Sequence, residues 1–286
     1  MTSASSPARR RTAIRHVLIY AGLAPLLVIA LFPVLWMIVT AFKHERDLYS
    51  RAQSPFWFHL PPTLKHFELL FTQTWFGTWV ANTALVSVCV VAITVVVAVP
   101  AGYALARLRL PGAQNLGIAL FMTYLVPPIV LFLPLARVVT ALGAMDSSWA
   151  LVIVYPTFTI PFGTWLMVGF FRAVPREIEE AAWIDGCGLV GGLVRVVMPL
   201  ARPGVATVGI FAFTLSMQEY LYALALASPV DEKMVSVGLP SMLIRFDIFF
   251  WGALMAGALL VGAPVAVLYH FVLDRFIAGL TGARIG

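Results

Sequence analysis

Six apolar runs, each long enough to cross a bilayer, restrict what this 286-residue chain can fold into more than any other feature. They cover residues 17–42, 78–106, 115–136, 149–171, 203–227 and 249–273. A hydrocarbon core about 30 Å thick is crossed by about 20 residues of helix. In lipid every backbone N–H and C=O must also find its partner within the protein, which leaves helices or a closed barrel. Runs of this length predict an all-α membrane protein of six transmembrane helices. The composition agrees: 61% of residues are hydrophobic and 11% are charged, against about 25% charged in soluble domains. The net charge of +6 therefore points to arginines gathered on one membrane face, and no nucleic-acid partner is expected.

Charge distribution orients the runs. Arg9, Arg10, Arg11 and Arg15 precede the first one, which is longer than the roughly 7–15 apolar residues of a signal peptide and is read as a retained span. With both termini cytoplasmic, twelve of the nineteen Lys and Arg residues fall in cytoplasmic segments, although the external loops are longer, as the positive-inside rule requires. Residues 1–16 are expected to be a disordered cytoplasmic tail, 17–276 the six-span domain, and 277–286 a cytoplasmic C-terminal tail. Pro127, Pro128 and Pro134 should bend or break the third span, and Pro156 and Pro161 the fourth. In the sixth, Gly252, Ala253, Ala256 and Gly257 form small pairs at four-residue spacing, a pattern for close helix packing.

No lysine follows a glycine, so the G-x-x-x-x-G-K-[ST] phosphate loop is absent. There is no H-E-x-x-H or G-x-S-x-G, the five histidines are scattered, and Cys89 and Cys187 suggest neither a disulfide framework nor a metal site. The chain is expected to be no enzyme and to hold no metal or cofactor of its own. A transporter built this way draws energy from an ion gradient or from a partner.

The polar segment 173–202 decides between those two. After Pro175 a short helix should start, with Glu177, Glu179 and Glu180 near its positive end. Ala181 and Ala182 give it a smooth face, and Gly186 or Gly188 should end it in a left-handed turn. Twelve residues after Gly186 stands Met198-Pro199. The run E-A-A-x3-G-x9-V-x-M-P from Glu180 to Pro199 resembles the "EAA loop" of bacterial ABC importer permeases, E-A-A-x3-G-x9-I-x-L-P. Further similarity to the sugar-importer branch, the maltose-type second permease and trehalose-type importers included, lies in Asn82-Thr83-Ala84-Leu85, Gly102 to Arg107, Pro134-Leu135 before Leu142-Gly143, and Gln218 to Leu224. The ending 279–286 resembles that branch's G-L-T-x-G-A-x-K-G tail with one residue fewer.

The resemblance implies the type I importer permease fold in a bacterial inner membrane. It implies a second homologous permease, two ATPase subunits that bind ATP and Mg, and an extracytoplasmic sugar-binding protein. Glu179, Glu180, Ala181, Ala182, Asp185 and Gly186 would couple to an ATPase, and Gly282, Ala283 and Arg284 of the tail would reach the ATPase dimer. The cargo is expected to be a sugar, with a disaccharide such as trehalose or maltose first and a monosaccharide or glycerophosphodiesters as alternatives. Asn82, Tyr124, Gln218, Glu219, Tyr220 and Tyr222 are candidates for the translocation pathway, since sugars are held by hydroxyl-bonding groups beside aromatic faces. Glu219 has two readings: a pathway carboxylate facing a cavity, or a group at the outer interface bonded to a neighbouring helix. Two other classes compete. A stand-alone gradient-driven secondary transporter calls for inverted repeats and paired intramembrane charges, and Glu219 is the one such charge. A membrane-embedded enzyme finds no motif.

Overall fold

The structure, a computed structural model, describes residues 7–50, 54–108, 111–245 and 248–281. In chain order its helices begin with α1 (Pro7–Phe42), α2 (Glu45–Leu48), α3 (Lys65–Gln73) and α4 (Phe76–Arg107). There follow α5 (Ala113–Tyr124), α6 (Pro128–Ala141), α7 (Trp149–Val154), α8 (Pro156–Ala173) and α9 (Arg176–Ile184). Next comes a return limb made of α10 (Leu189–Gly191), a π-helical turn (Gly192–Val197) and α11 (Met198–Leu200). The chain continues through α12 (Arg202–Gln218), α13 (Leu221–Leu226) and α14 (Val235–Leu243). A small antiparallel hairpin of β1 (Ile244–Arg245) and β2 (Ile248–Phe249) then leads into α15 (Trp251–Thr281).

Among the described residues four helices are long and apolar enough to cross a membrane singly, and two bent pairs raise the number to six. Proline explains the first pair. Pro128 sits at the N-terminus of α6, and α5 has already ended at Tyr124; residues before a proline leave the helical region. The expected third span is thus two limbs set at 94°. At 12 and 14 residues, each is about 18–21 Å long, short of the hydrocarbon thickness. In the second pair the return limb 189–200 meets α12 at 81°, and α12 is the spanning part.

Other expectations are corrected. Residues 7–16 are helical and continue the first span, because a formed helix propagates cheaply into arginine and alanine. The fifth span ends at Gln218 instead of 227, for a reason given below. The expected external loop 228–248 contains α14, which buries Val235, Val237, Leu239 and Leu243. The sixth helix runs on to Thr281, five residues into the expected tail. Gly282, Ala283 and Arg284 lie outside the described residues.

The central element is α4, which contributes to all three apolar clusters. Phe76 and Trp79 join α3, α14 and α15; Val86 and Val90 join α6, α7 and α13; Ala98, Val99 and Tyr103 join α8, the π-turn and α12. Small residues allow the approach. A Cβ on Gly102 would lie 2.5 Å from Met167 Cβ, and one on Gly163 would lie 3.2 Å from Ala98 Cβ. Thr94 and Thr159 pair their hydroxyls at 2.6 Å between α4 and α8. The small residues of α15 serve as expected: Ala253 and Ala256 are fully buried, Gly252 leaves room for the His66 ring, and Gly257 for Leu239. The apolar part of α1, by contrast, is exposed from Leu18 to Leu35 with few interruptions.

Candidate functional site

The charged loop folds into a capped knob. Pro175 precedes α9, and the acidic residues Glu177 and Glu179 occupy its first turn, where the helix dipole favours them. At the other end Gly186 has φ +89°. Its N–H donates to Trp183 O at 3.1 Å, and the N–H of Cys187 donates to Ala182 O at 2.9 Å. These are the two bonds of a Schellman cap, with glycine in the left-handed position. The chain then turns back through the return limb. Gly192 there makes space for Trp183, whose Nε1 is 3.2 Å from where a Cβ would stand.

The knob has two faces. Glu180, Ala181, Asp185 and Gly186 are exposed, and so is Ile184, at 87%, an apolar side chain at the tip that sequence reasoning passed over. Glu179 and Ala182, three residues apart and therefore on one side of a helix, are buried at 2% and 8%. The expectation that Glu179 and Ala182 belong to an outward contact surface is thus corrected: they face this chain's own membrane domain.

Glu179 is held there by the C-terminal end of α4. Its Oε1 accepts a hydrogen bond from the Tyr103 hydroxyl. Its Oε2 lies 3.4 Å from Arg107 Nε, with both side chains at most 4% exposed. That nitrogen is within ion-pair range but makes no aligned hydrogen bond. Arg107 Nη2 donates to the carbonyl of Val174, in the extended joint between α8 and α9. One guanidinium thus holds both the knob and its hinge. Sequence analysis missed Tyr103 and Arg107, although both sit in the quoted stretch Gly102 to Arg107. The signal was an arginine one helical turn after a tyrosine at the C-terminal end of a span.

The pathway candidates are scattered. Asn82 Nδ2 donates to the carbonyls of Asp231 at 2.6 Å and Lys233 at 3.2 Å, so this amide anchors the segment before α14. Tyr124 stands among part-exposed rings from three helices. Its centroid is 5.0 Å from Phe162 and 6.1 Å from Phe211, and Trp165 and Phe121 continue the set at 4.7 Å. Glu219 is half-buried and bonded to the next helix and to a neighbouring one. Its carboxylate accepts from the N–H groups of Leu221, Tyr222 and Ala223 at 2.9–3.2 Å and from the Tyr155 hydroxyl at 3.1 Å. It caps α13, and this ends the fifth span early. Tyr222 is fully buried, its hydroxyl donating to Pro128 O at 2.7 Å, so it braces the break between α5 and α6. Gln218 and Tyr220 remain exposed.

At the end of the domain near α14, Glu232 Oε2 accepts the Ser148 N–H at 2.6 Å. That bond chiefly holds its carboxyl below the usual carboxylate range. A group depressed in the folded state stabilises above its unfolded value, about pH 4.3, and loses this as pH falls through its folded value. The contact between the segments around 148 and 232 should therefore hold above the ordinary carboxylate range and loosen as pH falls through and below it. Limited proteolysis across that range checks it, and Glu232→Gln should abolish the acid step.

The family described as "Binding-protein-dependent transport system inner membrane component" matches residues 98–281. A sulfoquinovosyl glycerol transport system permease protein of Agrobacterium fabrum is 35% identical, covering 90% of this chain and 89% of its own length. A diacetylchitobiose uptake system permease protein of Streptomyces coelicolor is 32% identical, covering 89% and 91%. A maltodextrin transport system permease protein of Bacillus subtilis is 31% identical, covering 92% and 93%. A solved bacterial ABC transporter involved in the import of the acidic polysaccharide alginate has a chain that superimposes with a TM-score of 0.79. The match covers 96% of this chain and all of that one, at 21% identity, and concerns the fold.

Proposed function

The chain belongs to the binding-protein-dependent transport system inner membrane components, and from that premise we propose that it forms half of the translocation pathway of an ATP-driven sugar importer. The chain is a transport subunit with the type I importer permease fold, and it is not an enzyme. A second homologous permease would complete the pathway. Two ATPase subunits would supply the work, and an extracytoplasmic binding protein would deliver the sugar. Names of the relatives point to glycosides and oligosaccharides, and a disaccharide is the proposed cargo.

The observation that carries this reading is the knob itself. A nine-residue helix exposes a carboxylate, an alanine and an isoleucine while its back is fixed to the membrane domain. Ile184 is exposed together with Trp183, Leu189 and Val190 on the knob and its return limb, and apolar exposure of that extent suits a partner's groove. We assign Glu180, Ala181, Ile184 and Asp185 to the ATPase contact, and Gly186 to the shape of the knob. Glu179 and Ala182 contribute by orienting it. Gly282, Ala283 and Arg284 are proposed to meet the ATPase dimer. On the pathway side Gln218, Tyr220 and the rings around Tyr124 are the proposed sugar contacts. Lipid and the second permease would cover the exposed length of α1.

A tagged chain should co-purify with both ATPases and the second permease; isolation as a self-sufficient transporter would reject the assignment. The proposed orientation in a bacterial inner membrane places both termini in the cytoplasm. After Cys89→Ser and Cys187→Ser, an impermeant thiol reagent added outside should label Asp231→Cys and spare Glu180→Cys. Labelling of position 180 in sealed cells would reverse the topology.

A further inference from the structure

We infer that Tyr103, Arg107 and Glu179 clamp the coupling helix to α4, making α4 the strut that carries its displacement to the external segment 230–235. The inference rests on the coupling reading of α9 given above and concerns how the movement leaves that helix.

The inner pin is the buried cluster already described. The covalent route from α9 to α8 runs through Val174 and Pro175, both extended, with ψ 129° and 136°. An extended two-residue joint passes on a pull but not an orientation, because its dihedrals can absorb a rotation. Arg107 removes that freedom by holding the Val174 carbonyl and the Glu179 carboxylate together. Burying a charge pair costs more than burying apolar groups of the same volume, and its return is a defined geometry. At the inner end of α4 that geometry is the angle of the knob.

The strut is one unbroken helix of 32 residues, continuous through Pro100, and about 48 Å long. It packs against a different apolar cluster along each third of its length, so a bend at any of these places disturbs the cluster packed there. Its outer end is pinned as firmly as its inner end. Trp79 Nε1 donates to Val230 O at 2.6 Å, Asn82 bonds the carbonyls of residues 231 and 233, and Val235 N–H donates to Thr83 Oγ1 at 2.9 Å. Three side chains from little more than one helical turn grip one external stretch. A shift imposed on the knob must therefore reach that stretch, or break one of two sets of directional bonds. By reciprocity, a protein docked on the outer segment would bias the knob by the same amount.

The test is a double-mutant cycle in the complete importer, reconstituted with its ATPases and loaded binding protein. Glu179→Gln removes the charge at the inner pin, and Asn82→Ala with Thr83→Val removes three of the four bonds at the outer one. Each alone should leave assembly and unstimulated ATP hydrolysis near wild type, and should reduce sugar moved per ATP by about tenfold. Combined, they should do no worse than the stronger of the two alone, because either break severs the same strut. Independent local damage at sites this far apart would instead multiply, and multiplication overturns the inference. Tyr103→Phe, which removes one hydroxyl, replaces Glu179→Gln if that chain does not assemble. Failure of both to assemble would show the cluster to be purely structural and would also overturn it. A wild-type complex lacking stimulated hydrolysis would reject the importer reading itself, and is thereby distinguished from an additive cycle.

Discussion

A Gly186→Val importer should insert and keep its membrane domain intact, yet lose most of its sugar uptake. The position has φ +89°, and an added Cβ would meet nothing within 4 Å, so space is not the obstacle. The obstacle is the backbone. A β-branched residue in the left-handed region costs about 1–3 kcal/mol, and the helix can escape only by giving up its cap. The two cap bonds, Gly186 N–H to Trp183 and Cys187 N–H to Ala182, would then be lost. The turn they fix directs the chain into the return limb, so the knob would point elsewhere. A cost of 1.4 kcal/mol is tenfold in population, and uptake should fall by about ten- to a hundredfold. Gly186→Asn should retain much of the activity, since asparagine tolerates this turn. Uptake and ATPase pull-down from the same membranes measure it.

The second large effect separates the two alanines, which the sequence pattern treats alike. Ala181→Asp places a charge on the exposed face, and the chain should fold normally while losing its hold on the ATPase. Ala182→Asp places the charge on the buried face, one helical turn from Glu179. An uncompensated buried charge costs about 3–5 kcal/mol, and here it also competes for Arg107. The loop itself should come apart, seen as rapid proteolysis within 176–200 in the isolated permease pair. Ala181→Asp should show no such cleavage. Equal behaviour of the two variants would contradict the assignment of faces.

Much of this was legible in the chain. The spans, the break at Pro127-Pro128, the acidic start of α9 and its glycine stop each follow from local chemistry that acts within a few residues. Pro161, by contrast, is carried inside α8, and the fourth span stays whole. The small residues of α15 were readable for the same reason. What stayed hidden depends on partners distant in sequence. Nothing near Glu179 marks it as buried; the groups that bury it, Tyr103 and Arg107, come more than 70 residues earlier. Asn82 looked like a pathway amide until carbonyls about 150 residues away claimed it. Glu219 ended the fifth span because its side chain satisfies three backbone donors, which apolar run length does not register. The helical path of residues 7–16 was missed for the opposite reason. There the composition suggested disorder, while an adjacent span supplied the nucleus.

The most direct measurement is sugar accumulation by proteoliposomes holding the purified complex, with loaded binding protein on one side and ATP on the other. Accumulation should require ATP and the binding protein together, persist when proton and sodium gradients are collapsed, and vanish with Ala181→Asp. Uptake driven by an ion gradient without ATP would contradict the account.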